Sequence, residues 1–191
     1  MCGIVGIYLK TKKFEKNLGR MLSGMLNNME SRGPDSAGFA IYKNEGNKIY
    51  KFSLCINNLN FNIFKKELSK KIKKIKLNQI SDHVILKTEE KPKKVLEILN
   101  LNFPEVSIVG YGKSIEIFKQ VGNPKDVVKK FKLGDFSGTH GIGHTRMATE
   151  SAITTDGSHP YSTGEDECLV HNGSLSNHNN LRRELSKKGN I

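Results

Sequence analysis

The chain has 191 residues, enough for one domain with its own core, and a formal net charge of +12 with no tryptophan. Its apolar runs, such as IVGIYL at 4–9, are far shorter than the roughly 20 residues of a membrane span, and no basic leader precedes them, so a cytoplasmic protein without membrane contact is expected. The charge is almost all lysine, with arginine only at Arg20, Arg32, Arg146, Arg182 and Arg183; no nucleic-acid-reading motif accompanies it, so it reads as compositional bias rather than a nucleic-acid partner's footprint.

Residues 4–9 read as a buried strand. Leu18, Met21, Leu22, Met25, Leu26 and Met29 recur three and four apart, which predicts an amphipathic helix over 18–29. Arg32-Gly33-Pro34-Asp35 breaks it. Residues 36–42 read as a strand, 44–47 as a hairpin turn, and 48–54 as the partner strand. The next segment, 57–134, reads as a lysine-rich α/β insertion. It holds a basic helix at 61–75, a strand at 84–86, a proline-started helix at 92–101, strands at 106–110 and 115–121, and a helix at 124–131. From 135 onward glycine, histidine and asparagine accumulate, Cys168-Leu169-Val170 reads as a core strand, and 179–188 reads as an exposed helix.

Cysteine directly after the initiator methionine is the first chemical signal. A small second residue permits removal of Met1, which would give Cys2 both a thiol and a free α-amine. With a reference pKa of roughly 7.7–8.0, the amine can serve as base to the thiol nucleophile. On position alone, Cys2 is equally readable as a small residue at a frayed end. The other cysteines, Cys55 and Cys168, form no CxxC pair and read as structural. His140 and His144 are four apart, but Gly141 and Gly143 argue against a helix there. His159, His171 and His178 lack ligand spacing, so no metal site is expected. HNG at 171–173 is by itself an ordinary turn signal.

MCGIVGI at 1–7, RGPDSAG at 32–38, GHTRMAT at 143–149, HP at 159–160 and HNG at 171–173 occur together and in this order. Together they resemble the class II glutamine amidotransferase domain of the N-terminal nucleophile hydrolase superfamily. The resemblance implies an α+β fold, an αββα sandwich of two antiparallel sheets, spanning 1–191. It implies glutamine as substrate, no cofactor, and a glutaminase reaction through a Cys2 thioester. Asn172 and Gly173 would form the oxyanion hole, with a side-chain amide and a backbone N–H. Such donors contribute about 2.7–4 kcal/mol each. Arg146 would clamp the substrate carboxylate through its planar donor fork, and Thr149 would add a hydroxyl contact. Without that context, Arg146 reads first as a surface salt bridge. Arg32 and Asp35 would position the nucleophile or pair structurally with each other.

Met147 and Glu150 stand where several family members carry tryptophan and histidine. The motif context looks most similar to stand-alone amidotransferase subunits of the glutamate synthase and N-methylglutamate synthase type. These pass ammonia to partner synthase subunits. The family's aspartate for the substrate amine would lie beyond Ile191, so a truncated domain, incomplete at its C-terminus, is expected. The alternative function is an inactive binding or regulatory remnant of the same domain.

Overall fold

The computed structural model describes residues 2–44, 46, 48–57, 59–148, 152–173 and 176–189. In chain order the elements are β1 (Gly3–Tyr8), α1 (Leu18–Asn28), β2 (Ser36–Tyr42), β3 (Tyr50–Cys55), α2 (Phe61–Lys71), β4 (Lys76–Ile80), β5 (His83–Thr88) and α3 (Pro92–Asn102). There follow β6 (Ser107–Gly112), β7 (Ile115–Val121), α4 (Pro124–Lys130), β8 (His140–Arg146), β9 (Tyr161–Gly164), β10 (Glu167–Leu169) and α5 (His178–Lys187). The class is α+β, with two four-stranded antiparallel sheets and five α-helices among the described residues, as the motif resemblance implies. The arrangement fits an N-terminal nucleophile hydrolase sandwich.

The first sheet runs β1–β8–β2–β7, every pair antiparallel. The helical period of α1 brings Leu18, Leu22 and Leu26 to one fully buried stripe. That stripe packs with Val5, Phe39, Phe118 and Val127. Phe39 and Phe118 stack with ring centroids 5.4 Å apart. Each such side chain stabilises the fold by about 1.5–3 kcal/mol through burial.

The second sheet runs β4–β5–β3–β6 and is built from one continuous βαββαβ stretch, the split β-α-β topology of ferredoxin-like units. Its α2 and α3 cover one face through Phe64, Leu68, Val95 and Leu99, which meet Phe52, Leu54, Val84 and Leu86. The expected insertion at 57–134 takes in most of this unit; β3 joins it from the N-terminal side, while β7 and α4 pack on the first sheet.

Helices therefore lie outside both sheets, and the sheets meet through a small cluster of Ala40, Cys55, Val109, Ile115 and Ile117. Strand β7 is an edge strand whose free side would be open to stray pairing. Ser53 of β3 covers it, its Oγ accepting from Ile117 N at 2.8 Å. Lys51, fully buried, meets the Glu116 carboxylate at 3.1 Å and donates to the carbonyls of Lys43 and Ser114. Asp82 completes the joint by pairing with Lys130 of α4 at 3.0 Å. The β9–β10 hairpin is pinned by Asp166, whose carboxylate accepts from the backbone N–H groups of Lys113, Ser114 and Ile115 at 2.8–3.0 Å.

Three local expectations change. The strands at 36–42 and 48–54 form, but not as a hairpin. β2 pairs with β7 and β8, and β3 with β5 and β6. Glu45 and Asn47 of the expected turn lie outside the described residues. The basic helix ends at Lys71, and Lys76–Ile80 is a strand. Strand β8 carried no strand signal because Gly141 and Gly143 weaken it. Both face α1, where a Cβ on Gly143 would stand 2.9–3.0 Å from Leu26. No helix among the described residues is long and apolar enough to cross a membrane.

Candidate functional site

Three strand ends meet at one edge of the first sheet. The register sets Gly3 opposite Thr145 and Ser36 opposite Arg146. Cys2 precedes β1, Asp35 precedes β2, and Arg146 ends β8. Residues more than a hundred positions apart are thereby neighbours.

Cys2 is partly exposed. Its Sγ accepts from the Met147 backbone N–H at 3.4 Å. Its carbonyl oxygen receives two donors, Asn172 Nδ2 at 3.0 Å and Arg32 Nε at 3.3 Å. Asp35 holds the chain that leaves β8. Its Oδ2 accepts from Ala148 N at 2.7 Å, and its own N–H donates to the Arg146 carbonyl at 3.1 Å. Arg146 is buried, 8% exposed, and its Nη1 donates to the Ala152 carbonyl at 3.2 Å. Gly173 follows Asn172 with φ +156°, a conformation side-chain-bearing residues rarely adopt. Cys2, Arg32 and Asn172 are thus in direct contact, Asp35 and Arg146 share the adjoining backbone, and Thr149 lies outside the described residues.

A layer of histidines lies beneath this edge. Alternation along β8 turns Gly141, Gly143 and Thr145 to α1 and leaves His144 on the opposite face, between Ile4 and Gly38 in register. Gly38 lets the His159-Pro160 segment approach; a Cβ there would stand 2.2 Å from the His159 carbonyl oxygen. The ring of His159 stacks on His144 at 4.2 Å, and the peptide bond to Pro160 is cis. His144 Nε2 donates to the His171 carbonyl at 3.0 Å, directly before Asn172. All five sequence motifs therefore touch within one edge of the sheet.

Burial pushes the His144 pKa down, opposed by the His171 carbonyl and reinforced by the Arg146 charge. His159 is pushed down to about 3, by burial first and then by His144, Arg146, Lys119 and His171. Both rings are neutral at physiological pH, so His144 carries its single proton on Nε2 toward the carbonyl. Lys119 secures the loop before His159. Its buried ammonium donates to the carbonyls of Asp156 and Ser158, each at 3.0 Å.

His144, Lys119 and the Met147 N–H belong to this edge although the sequence motifs assign them no role in it. Lys119 had a usable signal: in IEIFKQV it takes the inward position after Ile115 and Ile117, where a lysine needs buried acceptors. Backbone donors such as Met147 N carry no residue-type signal.

Among the described residues one group, Cys55, Asp82 and His83, brings three potential metal-ligand atoms within 4.8 Å. The Lys130 ammonium sits on Asp82 Oδ2, and Asp82 Oδ1 lies 3.0 Å from His83 Nδ1. The group acts as the polar joint between the two sheets.

The edge near Cys2 thus brings together a partly exposed thiol, amide and guanidinium donors, and a buried arginine. No protein-family model matches the chain. It is 48% identical over 192 residues, 99% of its length, to "Glutamine amidotransferase-like protein GlxB" of Rhizobium meliloti (strain 1021), and spans 64% of that relative. Over 79 residues, 41% of the chain, it is 40% identical to the "Glutamine--fructose-6-phosphate aminotransferase [isomerizing]" of Methanococcus maripaludis, covering 13% of it. Over 83 residues, 42% of the chain, it is 37% identical to the "Amidophosphoribosyltransferase" of Methanocaldococcus jannaschii, covering 18% of it. By these likenesses the chain is similar along nearly its whole length to a protein named glutamine amidotransferase-like, and over shorter stretches to one named an aminotransferase and one named an amidophosphoribosyltransferase.

Proposed function

We propose that the chain is the glutaminase subunit of a class II glutamine amidotransferase. One observation carries this reading: Asn172, 170 residues away in sequence, donates to the carbonyl of Cys2 at 3.0 Å. Removal of Met1 would free the Cys2 amine as base. The Cys2 sulfur adds to the carboxamide carbon of glutamine, the C–N bond breaks, and the nitrogen leaves as ammonia with the thiol proton. Water then attacks the thioester, releasing glutamate and restoring the thiol.

Both steps pass through an oxyanion, which the Asn172 side chain and the Gly173 N–H would receive once a substrate displaces Asn172 from the Cys2 carbonyl. Arg146 would bind the substrate carboxylate, with Thr149 beside it, while Arg32 and Asp35 keep Cys2 and the 147–148 turn in place. The ammonia would pass to partner synthase subunits, in the manner of glutamate synthase and N-methylglutamate synthase. The similarity along 99% of this chain to a protein named glutamine amidotransferase-like supports the amidotransferase reading. The lysine-rich βαββαβ unit would be an insertion that contributes no reacting group.

The test is ammonia release from glutamine by the chain with its synthase partners. Cys2→Ala should reduce it to background while leaving the fold unchanged. Release retained in that variant would overturn the reading.

A further inference from the structure

We propose that His144 is the positioning residue for the Asn172–Gly173 donors: its Nε2–H holds the His171 carbonyl and so fixes the peptide that aims Asn172 at Cys2. Its functional meaning rests on the glutaminase reading above. The segment 171–173 is exposed, and a loop on the surface needs an anchor to hold a donor in place. His144 is fully buried on the central strand β8, flanked by Ile4 and Gly38, so its ring is fixed by the sheet. Its Nε2–H hydrogen bond runs to the carbonyl directly before Asn172, at 3.0 Å. Among the described residues its buried Nδ1 has no partner, an arrangement that would be costly for a merely space-filling histidine. The His159 ring, brought in over Gly38, stacks at 4.2 Å and holds the imidazole plane. The chain of contacts runs from sheet to His144, to the His171 carbonyl, to Asn172, to the Cys2 carbonyl.

Two variants separate the N–H from the ring. His144→Phe keeps the stacking surface and loses the donor, whereas His144→Gln keeps a side-chain N–H of similar reach. Amide exchange of the peptide spanning 170–173, read by mass spectrometry, reports the tie without any need for turnover. His144→Phe should speed exchange there by about tenfold, the loss of one hydrogen bond, and His144→Gln should return it toward the parent rate. Turnover should follow, with kcat falling about tenfold in His144→Phe and KM for glutamine nearly unchanged, because Arg146 is untouched.

Exchange unchanged in His144→Phe, or equally fast in both variants, overturns the proposal. Should His144→Phe not fold, His144→Gln alone decides: parent-like exchange supports the tie and faster exchange refutes it. Accelerated exchange in a protein whose parent releases no ammonia would uphold the tie and remove the glutaminase reading.

Discussion

The two sheets bury polar groups in different places, and the difference separates the candidate site from its support. On the second sheet Lys51, Ser53 and His83 are buried on the face turned to the first sheet, where they join the two units, while Thr88 at the end of β5 accepts from the Glu90 N–H. On the first sheet Ser36, Lys119, His144, Thr145 and Arg146 are buried toward the end that carries Cys2. Several of them hold a loop carbonyl: Lys119 takes Asp156 and Ser158, His144 takes His171, and Arg146 takes Ala152. A strand end that spends buried polar groups on loops is one where loop position matters. The second sheet's helix-facing core, around Phe52, Leu86 and Leu99, supplies apolar packing instead.

Substitutions on the two sides should therefore separate activity from stability. The largest effect on turnover outside the nucleophile is expected from Asn172→Ala, a drop in kcat of about 10²–10³ with little change in melting temperature. Steady-state kinetics beside a thermal melt would check it, and a fall below tenfold would break the assignment of Asn172 as an oxyanion donor. Leu99→Ala in α3 should do the reverse. A cavity behind a side chain that is 1% exposed costs about 2–5 kcal/mol in denaturant unfolding, while turnover per folded molecule stays at the parent value. Lost turnover at temperatures where that variant is folded would tie the second unit to the chemistry.

The smallest expected effect concerns the joint. Burial raises the pKa of Asp82, but hydrogen bonds from His83 and Lys130 more than offset it and hold the carboxyl at about 2, below its ordinary 3.8. A depressed carboxylate pKa stabilises the fold fully above the unfolded value, and this contribution fades as pH falls from about 4 to about 2. Asp82→Asn should thus lose up to about 2 kcal/mol near neutral pH, and the deficit should shrink to nothing at the acid end. Acid and denaturant unfolding curves compared across pH would show it. A deficit independent of pH would mean that the joint is held by packing rather than charge.

The elements legible in the sequence were those whose signal is local. The leucine and methionine stripe of α1, the strands β2 and β7, and the proline-started α3 and α4 follow their own periodicity; β1 forms where a buried strand is expected, but Ile4 and Tyr8 are exposed. Strand β8 was illegible because its two glycines serve close packing on α1, which is a tertiary demand. The pairing of β2 with β7 and β8 was illegible for a similar reason. A turn between 44 and 47 suggests a hairpin, whereas the βαββαβ unit diverts β3 into its own sheet. At the candidate site, Cys2, Arg146 and Asn172 stood out through motif order. His144 and Lys119 did not, because their significance depends on which carbonyl each one reaches.

The most direct test of the central claim is mass spectrometry of the purified chain after incubation with 6-diazo-5-oxo-norleucine, a reactive glutamine mimic. The expected product is a mature chain without Met1 that carries a single adduct on the Cys2 sulfur. A folded chain that keeps Met1, or one that stays unmodified at Cys2 in excess reagent, would contradict it.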